Sequence, residues 1–214
     1  MSDVPAGARV PPGDAPLPGT APVLNIANVL TGVRLALVPF FVVALFRVDG
    51  LDADWRLLAF GLFAVAAITD RLDGEIARKR GLVTSFGEIA DPIADKALTG
   101  SALIGLSILG LVPWWITVVI LGREVGVTVL RFWVLRHGVI PASRGGKAKT
   151  FVQTIAIGLY VLPLPQLLPA ISEPMAGLQI ALLLLALVLT VVTGLDYVFR
   201  ALRLRAAALG RKVP

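Results

Sequence analysis

The sequence predicts an all-α, polytopic membrane protein with six transmembrane helices in one bundle. Three observations carry that expectation. Hydrophobic residues make up 57% of the 214 and charged residues only 16%, and the mean hydropathy is +0.84, far too apolar for a soluble domain of this size. Six stretches, at about 25–47, 56–77, 88–111, 113–135, 149–169 and 176–200, approach the roughly 20 residues that a helix needs to cross the hydrocarbon of a bilayer. Backbone polar groups in hydrocarbon must find partners within their own segment, so each stretch is read as a helix. Finally, the basic residues fall unevenly between these stretches.

Residues 1–22 are rich in Pro, Gly and Ala without apolar periodicity and read as a disordered cytoplasmic tail. Prolines interrupt everything before Leu24, which is not the pattern of a signal peptide. No repeat or second domain is apparent, so residues 23–205 are read as one membrane domain and 206–214 as a basic cytoplasmic tail. The connection after the second span holds Arg78, Lys79 and Arg80. That after the fourth holds Arg136, Arg144, Lys147 and Lys149, and the C-terminal end holds Arg203, Arg205, Arg211 and Lys212. The opposite connections hold only Arg47 and Arg56. This asymmetry places both termini and both basic loops in the cytoplasm, as in a multi-pass protein of a bacterial plasma (inner) membrane. Trp55, Trp114 and Trp115 fall at outer ends, as belt or packing residues. Pro113 separates spans three and four, and Pro163, Pro165 and Pro169 end or kink span five near the outer face.

Two function classes drop out at once. A pI near 10.3 is compatible with nucleic-acid binding, but the Lys and Arg sit in short connections that topology already explains, so no nucleic-acid partner is expected. The absence of cysteine removes disulfides, zinc-thiolate sites, cysteine-ligated iron-sulfur centres and thiol nucleophiles. The single histidine, His137, lies in a basic loop and reads as a solvated or interfacial residue.

Four aspartates hold the chemistry. Asp70 and Asp73 are three apart and Asp91 and Asp95 four apart, so on helices each pair projects from one face. A carboxylate at the centre of a bilayer helix costs about 2.5 to 3.5 kcal/mol on the insertion scale, and four together require compensation. Two such helices face to face form a cage of hard oxygens suited to Mg2+ or Mn2+, and two ions about 4 Å apart can clamp a phosphoryl group. A structural network with Arg71, Arg78 and Lys96 and a divalent cation transporter are the other readings of the same spacing. Gly74 and Gly87 favour a ligand, because they remove side chains beside the carboxylates.

Asp70, Asp73, Gly74, Ala77, Arg78, Gly87, Asp91 and Asp95 fix eight residues over 26 positions, and at every one the chain resembles the signature of the CDP-alcohol phosphotransferases. The resemblance implies a six-helix membrane fold, usually a homodimer, and a site with two metal ions. It implies Asp70, Asp73 and Asp91 as metal ligands, with Asp95 both near the metals and acting as general base. It further implies that Gly74, Arg78 and Thr84, with the signature positions Ala77 and Gly87, hold the CDP part of the donor. Arg78 suits that role because its planar fork matches pyrophosphate. Asn28, Thr31 and Arg34 read either as a helix cap with a snorkelling cation or as contacts to the donor headgroup.

The signature leaves the acceptor alcohol open. Arg123, Arg131, Arg144, Lys147 and Lys149 are the cations not already assigned to the donor, and an acceptor with its own phosphate needs such a set. Glu124 could instead neutralise Arg123 inside the bundle, and the lysines could simply obey the positive-inside rule. The stretches around Asn25, Asn28, Thr31 and Arg34, around Asp91, Pro92, Asp95 and Lys96, Arg123 with Glu124, and Gly146, Lys147, Lys149, Thr150 and Gln153 resemble the phosphatidylglycerophosphate synthase branch. Ala27 departs from it, standing where that branch commonly has proline. The implied substrates are CDP-diacylglycerol, a membrane lipid, and glycerol 3-phosphate. Inositol phosphate, or phosphatidylglycerol as in cardiolipin synthesis, is the alternative acceptor. Asp196 is expected to pair with Arg200 at i, i+4.

Overall fold

The computed structural model describes residues 26–80, 85–134, 144–208 and 210, excepting the side chains of 27, 71–80, 85–89, 91, 131–134, 144 and 206–208. Helix α1 spans Ile26–Phe46 and is followed by a 3-10 turn, Arg47–Gly50; α2 spans Ala53–Arg80, α3 Ser85–Ile108, α4 Trp114–Val134 and α5 Arg144–Val161. A short α6, Leu164–Leu167, and a 3-10 turn, Pro169–Ile171, lead into α7, Ser172–Ala208. Seven helices and no strand occur among the described residues. The proposed tail at 1–22 and His137 lie outside them, as do 209 and 211–214 of the tail expected at 206–214, whose first three residues instead continue α7.

The apolar runs locate the helices, and the differences at their ends have physical causes. The third helix stops at Ile108 rather than 111, because Gly110 adopts a left-handed φ of 72° and the Leu111 and Val112 amides fold back onto the Leu106 carbonyl. The fifth begins at Arg144, so Lys147 and Lys149 ride on its first turns instead of in a loop, and it ends at Val161, before Pro163. Pro163, Pro165 and Pro169 sit in the broken passage that follows. After α1 the chain turns through Val48 and Asp49 at positive φ to Gly50 at φ 70°. A Cβ on Gly50 would stand 2.7 Å from Leu109 Cδ1, so conformation and space both require glycine there.

The bundle divides into two groups. Helix α1 packs on α2 and α3, whereas α7 packs on α4 and α5; the groups meet where α5 touches α2 and α3 and where α3 touches α4. Phe41, Leu45, Phe63, Leu103, Leu106, Ile120, Ile157 and Leu183 fill the joint core. Arg56 is buried with them, and its Nε donates to the Val161 carbonyl at 3.1 Å while its Nη2 donates to the Tyr160 carbonyl. It thereby caps α5, whose last carbonyls have no partner within the helix. Arg47 lies 5.0 Å over the Trp55 ring.

The outer surface is apolar: Phe40, Val65, Val118, Ile180 and Phe199 are all more than half exposed. Two segments, Asn28–Gly50 and Pro169–Arg205, are long and apolar enough to cross a membrane. Elsewhere charges interrupt the apolar runs: the aspartates on α2 and α3, and Arg123, Glu124 and Arg131 on α4.

Candidate active site

Asp70 on α2 and Asp95 on α3 line one cavity of about 340 Å³, within the ~300–1,000 Å³ usual for ligand sites. Its polar end adds Arg34, Thr99, Thr150 and Thr154, and its other end is walled by Phe60, Phe63, Ile155, Gly158 and Leu159. The cavity therefore opens between α2 and α5 as an apolar cleft that ends on carboxylates. Asp73, Gly74 and Asp91 lie about one helical turn nearer the α2–α3 connection on the same two helices, and Ala77, Arg78 and Gly87 about two turns nearer. Their side chains, and all of Thr84, fall outside the described residues. Among the described residues there is no group of three metal-ligating side chains.

Arg34 corrects one expectation. It is not a snorkelling cation: its side chain is fully buried, and Nη1 donates to Asp70 Oδ1 at 2.5 Å. Asn28 and Thr31 are buried as well, and at a spacing of three they share the same face of α1. That face is turned into the bundle, where Arg34 holds one of the four aspartates and lines the same cavity.

The cations of the other group converge on Glu124. Its Oε1 accepts from Arg123 Nη1 at 3.1 Å and from Lys149 Nζ. Arg123 Nη2 also donates to Thr193 Oγ1 on α7 at 2.9 Å. Neutralisation of Arg123 by Glu124 is as anticipated, but the same carboxylate also takes Lys149, whose side chain is 5% exposed. Lys147 faces outward, and the side chains of Arg131 and Arg144 lie outside the described residues. Gln153, one turn beyond Lys149, is buried, and its Oε1 has no hydrogen-bond partner. Asp95 lies within electrostatic reach of Asp70, Lys96, Glu124 and Lys149, so aspartates and cations share one field across the junction of the two groups. Asp196 and Arg200 pair at 3.0 Å as expected.

Sequence reasoning did not find Phe60, Phe63, Thr99, Thr154 or Gly158 as cavity residues. On a helix in an apolar bundle such residues carry no spacing signal that separates a cavity wall from a packing contact. Thr193 and Gly194 were missed for the same reason, since their partner lies 70 residues away.

The chain has relatives among known proteins. Residues 24–192 match the family described as CDP-alcohol phosphatidyltransferase. The chain is 57% identical over 179 residues to a protein of Mycobacterium tuberculosis named "Probable phosphatidylglycerophosphate synthase", covering 84% of this chain and 82% of that one. It is 38% identical over 188 residues to the "CDP-diacylglycerol--glycerol-3-phosphate 3-phosphatidyltransferase" of Bacillus subtilis, covering 81% and 93%. A protein of the same name from Rickettsia felis is 42% identical over 139 residues, covering 64% and 75%. With most of the bundle matched, aspartate helices included, the chain belongs to the CDP-alcohol phosphatidyltransferase family.

Proposed function

We propose that this chain is a membrane-embedded transferase that moves the phosphatidyl group of CDP-diacylglycerol onto the primary hydroxyl of glycerol 3-phosphate, giving phosphatidylglycerophosphate and CMP. The names of the relatives support that reaction. The observation that carries it into this structure is the cavity itself. It has an apolar cleft suited to acyl chains and Asp70 and Asp95 at its polar end, and Lys96 and Lys149, outside its lining, lie within electrostatic reach of Asp95.

In this reading the six long helices are the six membrane spans, with both termini cytoplasmic in the plasma (inner) membrane. Residues 1–22 and 206–214 are tails on a single domain, and the enzyme works as a homodimer. Asp70 and Asp95 offer hard carboxylate oxygens from two sides of one cavity, and Asp73 and Asp91 follow one turn away, a donor set that fits Mg2+ or Mn2+. Two such ions, when bound, would stabilise the charge on the pyrophosphate and on departing CMP.

The chain's own residues do the rest. The donor's acyl chains enter sideways between α2 and α5, along Phe60, Phe63 and Gly158. Arg34 fixes the rotamer of Asp70 through its 2.5 Å bond. Gly74, Ala77, Arg78, Thr84 and Gly87 bind the CDP moiety, with Asn28 and Thr31 bracing the same end of α1. Arg123, Lys149, Lys147, Arg131 and Arg144 receive the phosphate of the acceptor. Asp95 takes the proton of the acceptor's primary hydroxyl. The freed oxygen attacks the phosphorus bearing diacylglycerol, and the bond to the CMP oxygen breaks.

The test is CMP release by purified protein in detergent with CDP-diacylglycerol and Mg2+, offering glycerol 3-phosphate or inositol phosphate separately, beside Asp95→Asn. Turnover with glycerol 3-phosphate, lost in the variant, is the expected result. Turnover with inositol phosphate alone would overturn the acceptor, and no CMP with either would overturn the reaction.

A further inference from the structure

The strongest unassigned feature is where α7 grips Arg123. A Cβ built on Gly194 would stand 2.9 Å from Arg123 Cγ and 3.2 Å from its Nε, so the arginine stem lies directly against the α7 backbone at this glycine. One residue earlier, Thr193 Oγ1 accepts from Arg123 Nη2 at 2.9 Å. Thr193 is itself anchored, donating to the Leu189 carbonyl at 2.6 Å. The opposite arm of the guanidinium, Nη1, goes to Glu124. Arg123 Nε is buried and has no hydrogen-bond partner, so orientation rests on the two arms and on the space left by Gly194.

An arginine has several rotatable bonds and loses substantial rotamer freedom when fixed. Here the fixing comes from a glycine that admits the stem and a hydroxyl that holds one fork. Neither residue carries charge, and neither touches the cavity of Asp70 and Asp95. Both lie outside the aspartate signature, on α7.

We infer that Thr193 and Gly194 are positioning residues for the acceptor: they set the Arg123 guanidinium in the orientation in which it takes the acceptor's phosphate. The inference rests on the proposed role of Arg123. Filling the Gly194 gap pushes Arg123 off Glu124 and Thr193, and removing the Thr193 hydroxyl frees one arm. Either change weakens capture of the anionic alcohol and leaves the donor and the chemical step alone.

The experiment measures KM for glycerol 3-phosphate, KM for CDP-diacylglycerol and kcat in Gly194→Ala, Thr193→Val, Thr193→Ser, Gly177→Ala and Arg123→Ala. Gly177 is on the same helix with nothing within 4 Å of its Cβ position, so it controls for the change in helix propensity. Expected is a rise of about tenfold in KM for glycerol 3-phosphate in Gly194→Ala and Thr193→Val, the loss of one oriented charge-assisted bond. The donor KM and kcat stay unchanged, and Thr193→Ser and Gly177→Ala behave as wild type. A fall in kcat with both KM values unchanged, or equal effects of Gly194→Ala and Gly177→Ala, would overturn the inference. If Arg123→Ala raises the acceptor KM while Gly194→Ala and Thr193→Val do not, the inference fails and the acceptor site stands. If Arg123→Ala itself has no effect on that KM, the acceptor site falls and the inference with it.

Discussion

Replacing Arg56 with Met should destabilise the fold without touching the site. Arg56 is 6% exposed and bonds two successive carbonyls, those of Tyr160 and Val161, at the end of α5. Hydrogen bonds from a charged group contribute about 1.5 to 3 kcal/mol each, so two give about 3 to 6 kcal/mol gross. Methionine recovers part of the cost of keeping a guanidinium out of water, and the Tyr160 carbonyl, on a half-buried residue, can regain solvent. Val161 is fully buried and its carbonyl cannot. The net loss is therefore about 2 to 4 kcal/mol, or roughly 4 to 16 °C in midpoint for a chain of this size. Thermal unfolding in detergent, followed by circular dichroism, measures it, with Arg56→Lys intermediate because one ammonium cannot hold both carbonyls in a fork. KM for both substrates in the folded fraction should match wild type. A midpoint for Arg56→Met equal to that of wild type would refute the capping argument.

Other perturbations separate the remaining roles. Asp95→Asn should lower CMP release by about 10²- to 10⁴-fold, the usual contribution of a positioned general base, with the unfolding midpoint nearly unchanged. Chelation with EDTA should abolish turnover and added Mg2+ should restore it if the proposed carboxylate donor set holds metal. Gly158→Leu should raise KM for long-chain CDP-diacylglycerol while sparing a short-chain analogue, since a Cβ at Gly158 already meets the Phe60 and Phe63 rings at 3.6 Å. Glu124→Gln and Lys149→Met should each unfold earlier than wild type, and the double variant by about 1 to 3 kcal/mol less than their sum, a coupling read from a double-mutant cycle on the unfolding free energies.

What the sequence disclosed follows from what is local in it. Apolar length placed α1 and α4 to within a residue at each end, because hydrocarbon crossing is a property of consecutive residues. A spacing of four put Asp196 beside Arg200 for the same reason, and the aspartates fall on α2 and α3 as the apolar runs around them require. Arg34 allows two readings and Arg56 reads as part of an outer connection, because a lone arginine near a span end looks the same whether it reaches water or a partner inside the bundle. Only the tertiary structure supplies the Asp70 carboxylate and the α5 carbonyls. The start of α5 was placed late because three cations in six residues read as a loop by charge, while the helix continues through them. Thr193 and Gly194 were silent, since their meaning depends on a side chain reached only through packing of α4 on α7.

The placement of four aspartates on α2 and α3 and of Arg123 and Lys149 on α4 and α5 answers an electrostatic problem in the proposed reaction. A pyrophosphate and a phosphate, two dianions about 6 Å apart, repel by roughly 11 kcal/mol at an effective dielectric of 20. Carboxylates on α2 and α3 cannot relieve this; they worsen it unless cations are bound between them. In the proposed reaction the acceptor is held by fixed positive charge from outside α2 and α3, the role proposed for Arg123 and Lys149, which the structure shows paired with Glu124. Two buried cations with no anion present would themselves be costly, and Glu124 carries that load between turnovers by bonding both. An arriving phosphate then shares cations already neutralised and oriented, so capture requires exchange of partners and not the burial of a new charge. This account ties acceptor affinity to Glu124: Glu124→Asp, which shortens the reach to Arg123 and Lys149 but keeps the charge, should raise KM for glycerol 3-phosphate without altering that for CDP-diacylglycerol. Equal shifts in both constants would mean that the two groups of helices do not divide the substrates between them.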